Sequence, residues 1–207
     1  MMSFLRGRWV LPAVALFAVG ALAAMFFFVL SVGLYARHWD GPLVRRMADI
    51  LPIPAAKLGS ERVYYREYLK DADSLRTFLA SEEAVALQAN RDVTAVDLQQ
   101  VVERRLRELA VFEAAGFRGI QLSQAEIDAA VRMFIPADKT ESDLDAFLAT
   151  NYNWTREDFL THMVRPALLT QKLAGSFAAD HGGDPNAFET YLNERLQRPD
   201  VVRYMRW

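Results

Sequence analysis

The chain has 207 residues, 52% of them hydrophobic, with no Cys and a formal net charge of −2. The lack of Cys excludes disulfides, thiol catalysis and Cys-ligated zinc. A charge balance this close to neutral offers none of the basic stripe that nucleic acid requires, so no nucleic-acid partner is expected.

Residues 1–9 are a short N-terminal tail carrying Arg6 and Arg8. Val10 to Leu34 then runs 25 residues without a charge. About 20 apolar residues in a helix cross the hydrocarbon core of a bilayer. Residues 10–35 are therefore expected to be a single-pass transmembrane anchor in contact with the lipid bilayer. Trp9 at one edge, and Tyr35 and Trp39 at the other, suit the interfacial level. The rival reading is a cleaved signal peptide, for which Ala21-Leu22-Ala23 supplies a small-x-small site. The apolar run from Ala24 to Leu34, with Phe26, Phe27 and Phe28 in a row, favours the uncleaved form. Arg37, Arg45 and Arg46 follow the run, so the arginine count alone does not orient it. With Arg6 and Arg8 set aside, 22 basic against 26 acidic residues leave −4 on the remainder, a mildly acidic domain.

Residues 36–54 read as a juxtamembrane amphipathic linker. Leu43, Val44, Met47, Ile50 and Leu51 share one helical face, opposite Arg45, Arg46 and Asp49. Such a helix either lies in the membrane interface or packs on the domain. Pro52 and Pro54 end it. Gly59-Ser60, between Ala56–Leu58 and Arg62–Tyr64, indicates a small extended turn rather than a sheet.

Tyr65, Tyr68, Leu69, Ala72, Leu75 and Leu79 mark the next helix, and 81–93 has no clean period. Thr94 caps a long helix with Asp97 three residues on. Its face is Leu98, Val102, Leu106, Leu109 and Phe112, and Gly116 and Gly119 stop it. Ser123-Gln124-Ala125-Glu126 is a capping box, with Leu122 and Ile127 placed as a hydrophobic staple. Ile127, Val131, Phe134 and Ile135 form the expected buried stripe before Pro136. A shorter helix follows Thr140, its stripe being Leu144, Phe147 and Leu148. After the turn at 151–153, Thr155 caps a long helix that is apolar on two faces. Phe159, Met163, Ala167, Ala174 and Phe177 line one, and Leu160, Val164 and Leu168 the other. Pro166 should kink it.

Residues 181–207 are a C-terminal helix and tail. His181-Gly182-Gly183 breaks the chain, and Asp184 caps a helix with Pro185 at its first position. Phe188, Leu192 and Leu196 face inward. The tail 201–207 is a candidate to pair with 56–64.

No catalytic, cofactor-binding or metal-ligating constellation stands out. His38, His162 and His181 lie far apart, and a metal site needs convergent ligands. No Ser has a nucleophile-elbow setting. Gly182-Gly183 lacks the Lys and hydroxyl residue of a phosphate loop.

The order of elements resembles a known family. The matching residues are Ala56-x-Leu58-Gly59-Ser60-x-x-Val63-Tyr64, Ile120-x-Leu122-Ser123-x-x-Glu126-Ile127, Trp154-Thr155-x-Glu157-x-Phe159 and Pro166-x-Leu168-Leu169-x-x-Lys172-Leu173. Over residues 55–178 this resembles the N-terminal chaperone domain of SurA-type proteins, also found as the peptide-binding arm of trigger factor. The family usually has Asn-Gly where Gly59-Ser60 stands, and its enzymes carry a parvulin domain. The 27 residues after Asp180 leave no room for one. The resemblance implies an all-α fold, a transmembrane helix followed by an orthogonal multi-helix domain over 55–180. It also implies a place on the outer side of the cytoplasmic (inner) membrane. The implied activity is non-catalytic binding of unfolded or extended polypeptide clients. Candidate contacts are Met133, Phe134, Tyr152, Trp154, Leu160, Val164 and Leu168. The alternatives are a scaffold that docks one folded partner or forms a homodimer through that face, and a part of a peptidyl-prolyl isomerase system without its own catalytic domain.

Overall fold

Helix starts in this chain are written as short side-chain circuits. Thr94, Ser123, Thr140 and Thr155 each accept the amide proton of the residue three positions on. Asp97, Glu126, Asp143 and Asp158 reach back to the cap amides. Each circuit satisfies two of the donors that a helix leaves orphaned at its start. The computed structural model describes residues 10–207, and of 10–19 and 21–23 the backbone alone. Arg6, Arg8 and Trp9 of the expected tail lie outside the described residues.

In order, the elements are α1 (Val10–Tyr35), α2 (Pro42–Ile50), β1 (Pro54–Leu58), β2 (Glu61–Tyr64), α3 (Tyr65–Leu79), α4 (Glu82–Ala86) and α5 (Ala95–Phe117). There follow α6 (Gln124–Met133), α7 (Glu141–Tyr152), α8 (Arg156–Phe159), a π-helical turn (Leu160–Val164), α9 (Arg165–Asp180), α10 (Ala187–Leu196) and β3 (Val201–Arg203).

The expected extended turn is a true sheet, and the all-α expectation is corrected accordingly. The strands run β2-β1-β3, both pairings antiparallel. Ala56 faces Val63 and Arg203, and Leu58 faces Glu61 and Val201. The tail thus pairs where its sequence allowed. Gly59 turns the hairpin at φ +58°, a backbone conformation that side chains with a Cβ resist. The sheet is built because Ala56, Leu58 and Val63 are buried against α5 and α3, and three strands hold where a lone hairpin is marginal.

The sheet, α3, α5, α9 and α10 enclose one core, centred on Leu58, Tyr65, Leu106, Leu173, Phe188 and Leu192. A second, smaller core joins α6, α7 and the start of the α8–α9 arm through Ile127, Val131, Leu148, Phe159 and Val164. Leu122 packs against both.

A helix does form over Val10–Tyr35. Among the described residues, however, no helix is long and apolar enough to cross a membrane, which overturns the transmembrane anchor expected over 10–35. Its C-terminal end is engaged by protein. Leu34 is buried in the first core, with Leu30 and Tyr35 packed beside it. The Trp39 ring lies over Gly33, where any Cβ would collide with it. The Tyr65 hydroxyl donates to the carbonyls of Leu34 and Trp39. The expected bilayer contact and placement rested on that span. Of the two alternatives for the helix in 36–54, packing on the domain is the one seen: Val44 and Ala48 of α2 are buried in the same core, and Arg45 is held by both carboxylate oxygens of Asp73 on α3. Leu43, Ile50 and Leu51, expected on the same face as Val44, stay exposed.

Pro166 acts as its chemistry requires. It has no N–H for the carbonyl of His162. The helix widens just before it, and the Arg165 amide bonds back to Leu160, five residues away. The π turn changes the phase of every side chain across it.

Candidate functional site

Four aromatic side chains, from α3, from α7 and from the turn after α7, meet at one place. Phe78 of α3 stacks on Tyr152 at 5.1 Å, and Tyr152 stacks on Trp154 at 5.3 Å. Phe147 meets Tyr152 edge-on at 6.1 Å. Across from them, Phe134 and Phe159 form a perpendicular pair at 5.1 Å. Between these groups lies an open cavity of about 620 Å3, within the size range of ligand sites in proteins. Phe134, Phe147, Tyr152, Trp154 and Met163 contribute aromatic and sulfur surface to it. Phe134, Phe147 and Met163 are also exposed at 42–46%.

Local sequence explains why the cavity stays open. Pro136 follows α6, and α7 begins only after the Thr140 cap. This leaves a connection that runs past the cavity with Ile135, Pro136 and Lys139 in its wall. Asn153 ends α7 in the left-handed conformation, φ 54°. That turn reverses the chain and buries Trp154 against the second core. The Trp154 Nε1 is buried without an acceptor among the described residues, a costly state for an indole donor.

Behind the aromatic wall is a charged cluster. Arg105 donates to both oxygens of Asp71, at 2.5 and 2.8 Å, and to Glu108 at 3.0 Å. All three are buried. His162, carried on the π turn, places Nδ1 2.5 Å from the Arg105 guanidinium. Burial, together with the charge of Arg105, pushes its pKa down to about 4, so the imidazole is neutral near pH 7 and Nδ1 accepts. Burial raises the pKa of Glu108, against the pull of Arg105. Arg104, His162, Lys139 and Asp143 supply the polar part of the cavity wall.

Of the seven candidate contacts, Phe134, Tyr152 and Trp154 line the cavity. Met133 stands fully outside it at 87% exposure. Val164 is 1% exposed in the second core, with Leu160 and Leu168 packed beside it. The π turn carries that second apolar face of the long helix inward. Phe147, Met163, Arg104 and His162 were missed. Arg105 and Asp71 carried a readable signal. Each stands in the apolar phase of its helix, Arg105 between Val102 and Leu109 and Asp71 between Tyr68 and Leu75, where a charge must find a partner.

Among the described residues, no group of three or more His, Asp and Glu side chains is placed to hold a metal ion. Comparison with known proteins finds no family model, no curated relative and no solved structure that matches the chain.

Proposed function

We propose that this protein binds extended or unfolded polypeptide segments, taking large apolar side chains into the aromatic cavity between α6, α7 and the π turn. The observation that supports this reading best is the open apolar cavity rimmed by exposed Phe134, Phe147 and Met163. Aromatic and Met surface adapts to varied apolar partners, and an exposed cluster of such side chains is unusual without a partner. The order of elements shared with SurA-type chaperone domains points the same way. The activity is binding without bond chemistry: the strongest polar groups near the cavity, Asp71, Arg105 and Glu108, are bonded to one another.

The test uses the purified full chain and an unstructured peptide bearing spaced Phe and Leu side chains. Tryptophan fluorescence should respond on titration, and the chain should slow aggregation of a denatured model protein. Phe147→Ala should weaken peptide binding about five- to ten-fold, the usual worth of an aromatic contact. A response that Phe147→Ala leaves unchanged would place the binding elsewhere. Measurable prolyl isomerisation by the chain would overturn the non-catalytic reading.

A further inference from the structure

The polar wall of the cavity has donors left over and few acceptors left to meet them. Asp71 commits both oxygens to Arg105, and Glu108 commits Oε2 to the same guanidinium. The hydroxyl and amide of Thr140, both at 2.7 Å, occupy Oδ2 of Asp143 alone, and the charge of Lys139 bears on that carboxylate. Arg104 therefore meets carboxylates already engaged, at 3.4 Å to Asp71 and 3.7 Å to Glu108, and its side chain is 44% exposed. Among the described residues it makes no hydrogen bond that meets ordinary geometry, and the Lys139 ammonium has neither a hydrogen bond nor an ion pair. A guanidinium carries five N–H donors in a fork that matches a carboxylate. Both cations belong to the same wall as Phe134, Phe147 and Tyr152.

We propose that the preferred occupant is an extended polypeptide segment in which a large aromatic residue is flanked by an acidic one. The aromatic ring enters the cavity, and the neighbouring carboxylate accepts from Arg104, with Lys139 adding long-range attraction. This rests on the polypeptide-binding reading and narrows it from apolar segments in general to those of a defined charge pattern. Peptide carbonyls alone satisfy such donors less well, because a charged acceptor forms the stronger bond. Segments with Lys or Arg beside the aromatic residue are disfavoured by the same two cations.

The test compares three disordered peptides of equal length with one central Phe, flanked by Glu, Gln or Lys and labelled with an uncharged dye. Binding to the full chain is followed by fluorescence anisotropy at low ionic strength. The Glu peptide should bind about five-fold more tightly than the Gln peptide, the upper range for a partly exposed ion pair, and the Lys peptide weakest of all. The preference should shrink in 0.5 M salt, where the screening length falls to about 4 Å. Arg104→Gln should abolish most of it. Arg104 adjoins the buried cluster, so Lys139→Gln, at a position that touches no ion pair, serves as the second variant and should reduce the preference in part. Equal affinity for the Glu and Gln peptides overturns the acidic preference while leaving polypeptide binding in place. No binding by any of the three overturns both.

Discussion

The two cores of this molecule are built to different standards. In the first, Leu106, Leu173, Leu192 and Phe188 are enclosed on every side, and Arg195, 3% exposed, is met by Glu113 and Asp200 together. The tail closes it, with Met205 buried, Trp207 stacked on His38 at 3.8 Å and Tyr204 against Tyr35. The second core is half a core. Its inner layer, Ile127, Leu148 and Val164, is buried, but its outer aromatic layer borders an open cavity. Its polypeptide includes a π turn and a left-handed Asn153. Apolar area left exposed is stabilisation forgone, and irregular backbone of this kind is common at functional sites. On the proposed reading, the first region supplies rigidity and the second supplies binding.

Truncating one aromatic side chain in each region is the strongest way to break that contrast. Phe188→Ala should cost about 3–5 kcal/mol, the range for a large side chain removed from a packed core. Phe147→Ala should cost less than about 1 kcal/mol, since much of that ring already faces solvent. Denaturant unfolding of both variants measures the pair. Similar losses would mean that the cavity is as structural as the core beneath the sheet. Next in size is the cluster between the regions. Asp71→Ala strips Arg105 of its bidentate partner and leaves a buried charge, which should cost about 3 kcal/mol. The same substitution frees a guanidinium beside His162, so a fluorescence change at Trp154, 6.1 Å from that imidazole, should accompany the loss.

The helices were legible because their ends are local chemistry. Thr94, Ser123, Thr140 and Thr155 each announce a helix start with an acid three residues later, and all four form. Stripe positions such as Val102, Leu106, Ile127 and Leu192 are likewise buried where their period places them. The failures have non-local causes. A helical face says which side is apolar but not whether anything covers it, so Phe147 reads as core and lies at the cavity, as does Phe134, which the sequence places both in a buried stripe and among the candidate contacts. The sheet needed β3, about 140 residues from β1 in sequence, to become more than a turn. The apolar run at the N-terminus reads as a span by composition. Nothing in its composition tells that Leu34 and Tyr35 belong to a core assembled from β1, α3 and the C-terminal tail. The cavity depends on the π turn, and although Pro166 signalled a disturbance, the direction in which the helix yields is set by what packs on it.

The remaining expected effect concerns pH. His162 faces Arg105 and Asp71, with Arg104 and Asp158 close enough to bear on it. Its pKa lies at about 4 in the folded protein against 6.5 for a free imidazole. Between those values the unfolded chain binds the proton and the folded chain does not, so stability falls as pH drops from about 6.5 towards 4. Carboxylates depressed by their partners, such as Asp158 at about 2 beside Lys70, add their own losses only lower, below their unfolded range. His162→Gln keeps an acceptor within reach of Arg105 and removes the titration. The variant should match the parent near pH 7, unfold with a flatter dependence on pH between 6.5 and 4.5, and run parallel to the parent below pH 4. Were the slope in that interval unchanged, the imidazole would have to be solvated and protonating normally, and the cavity's inner wall would be wetter than the packing around Trp154 and Arg105 allows.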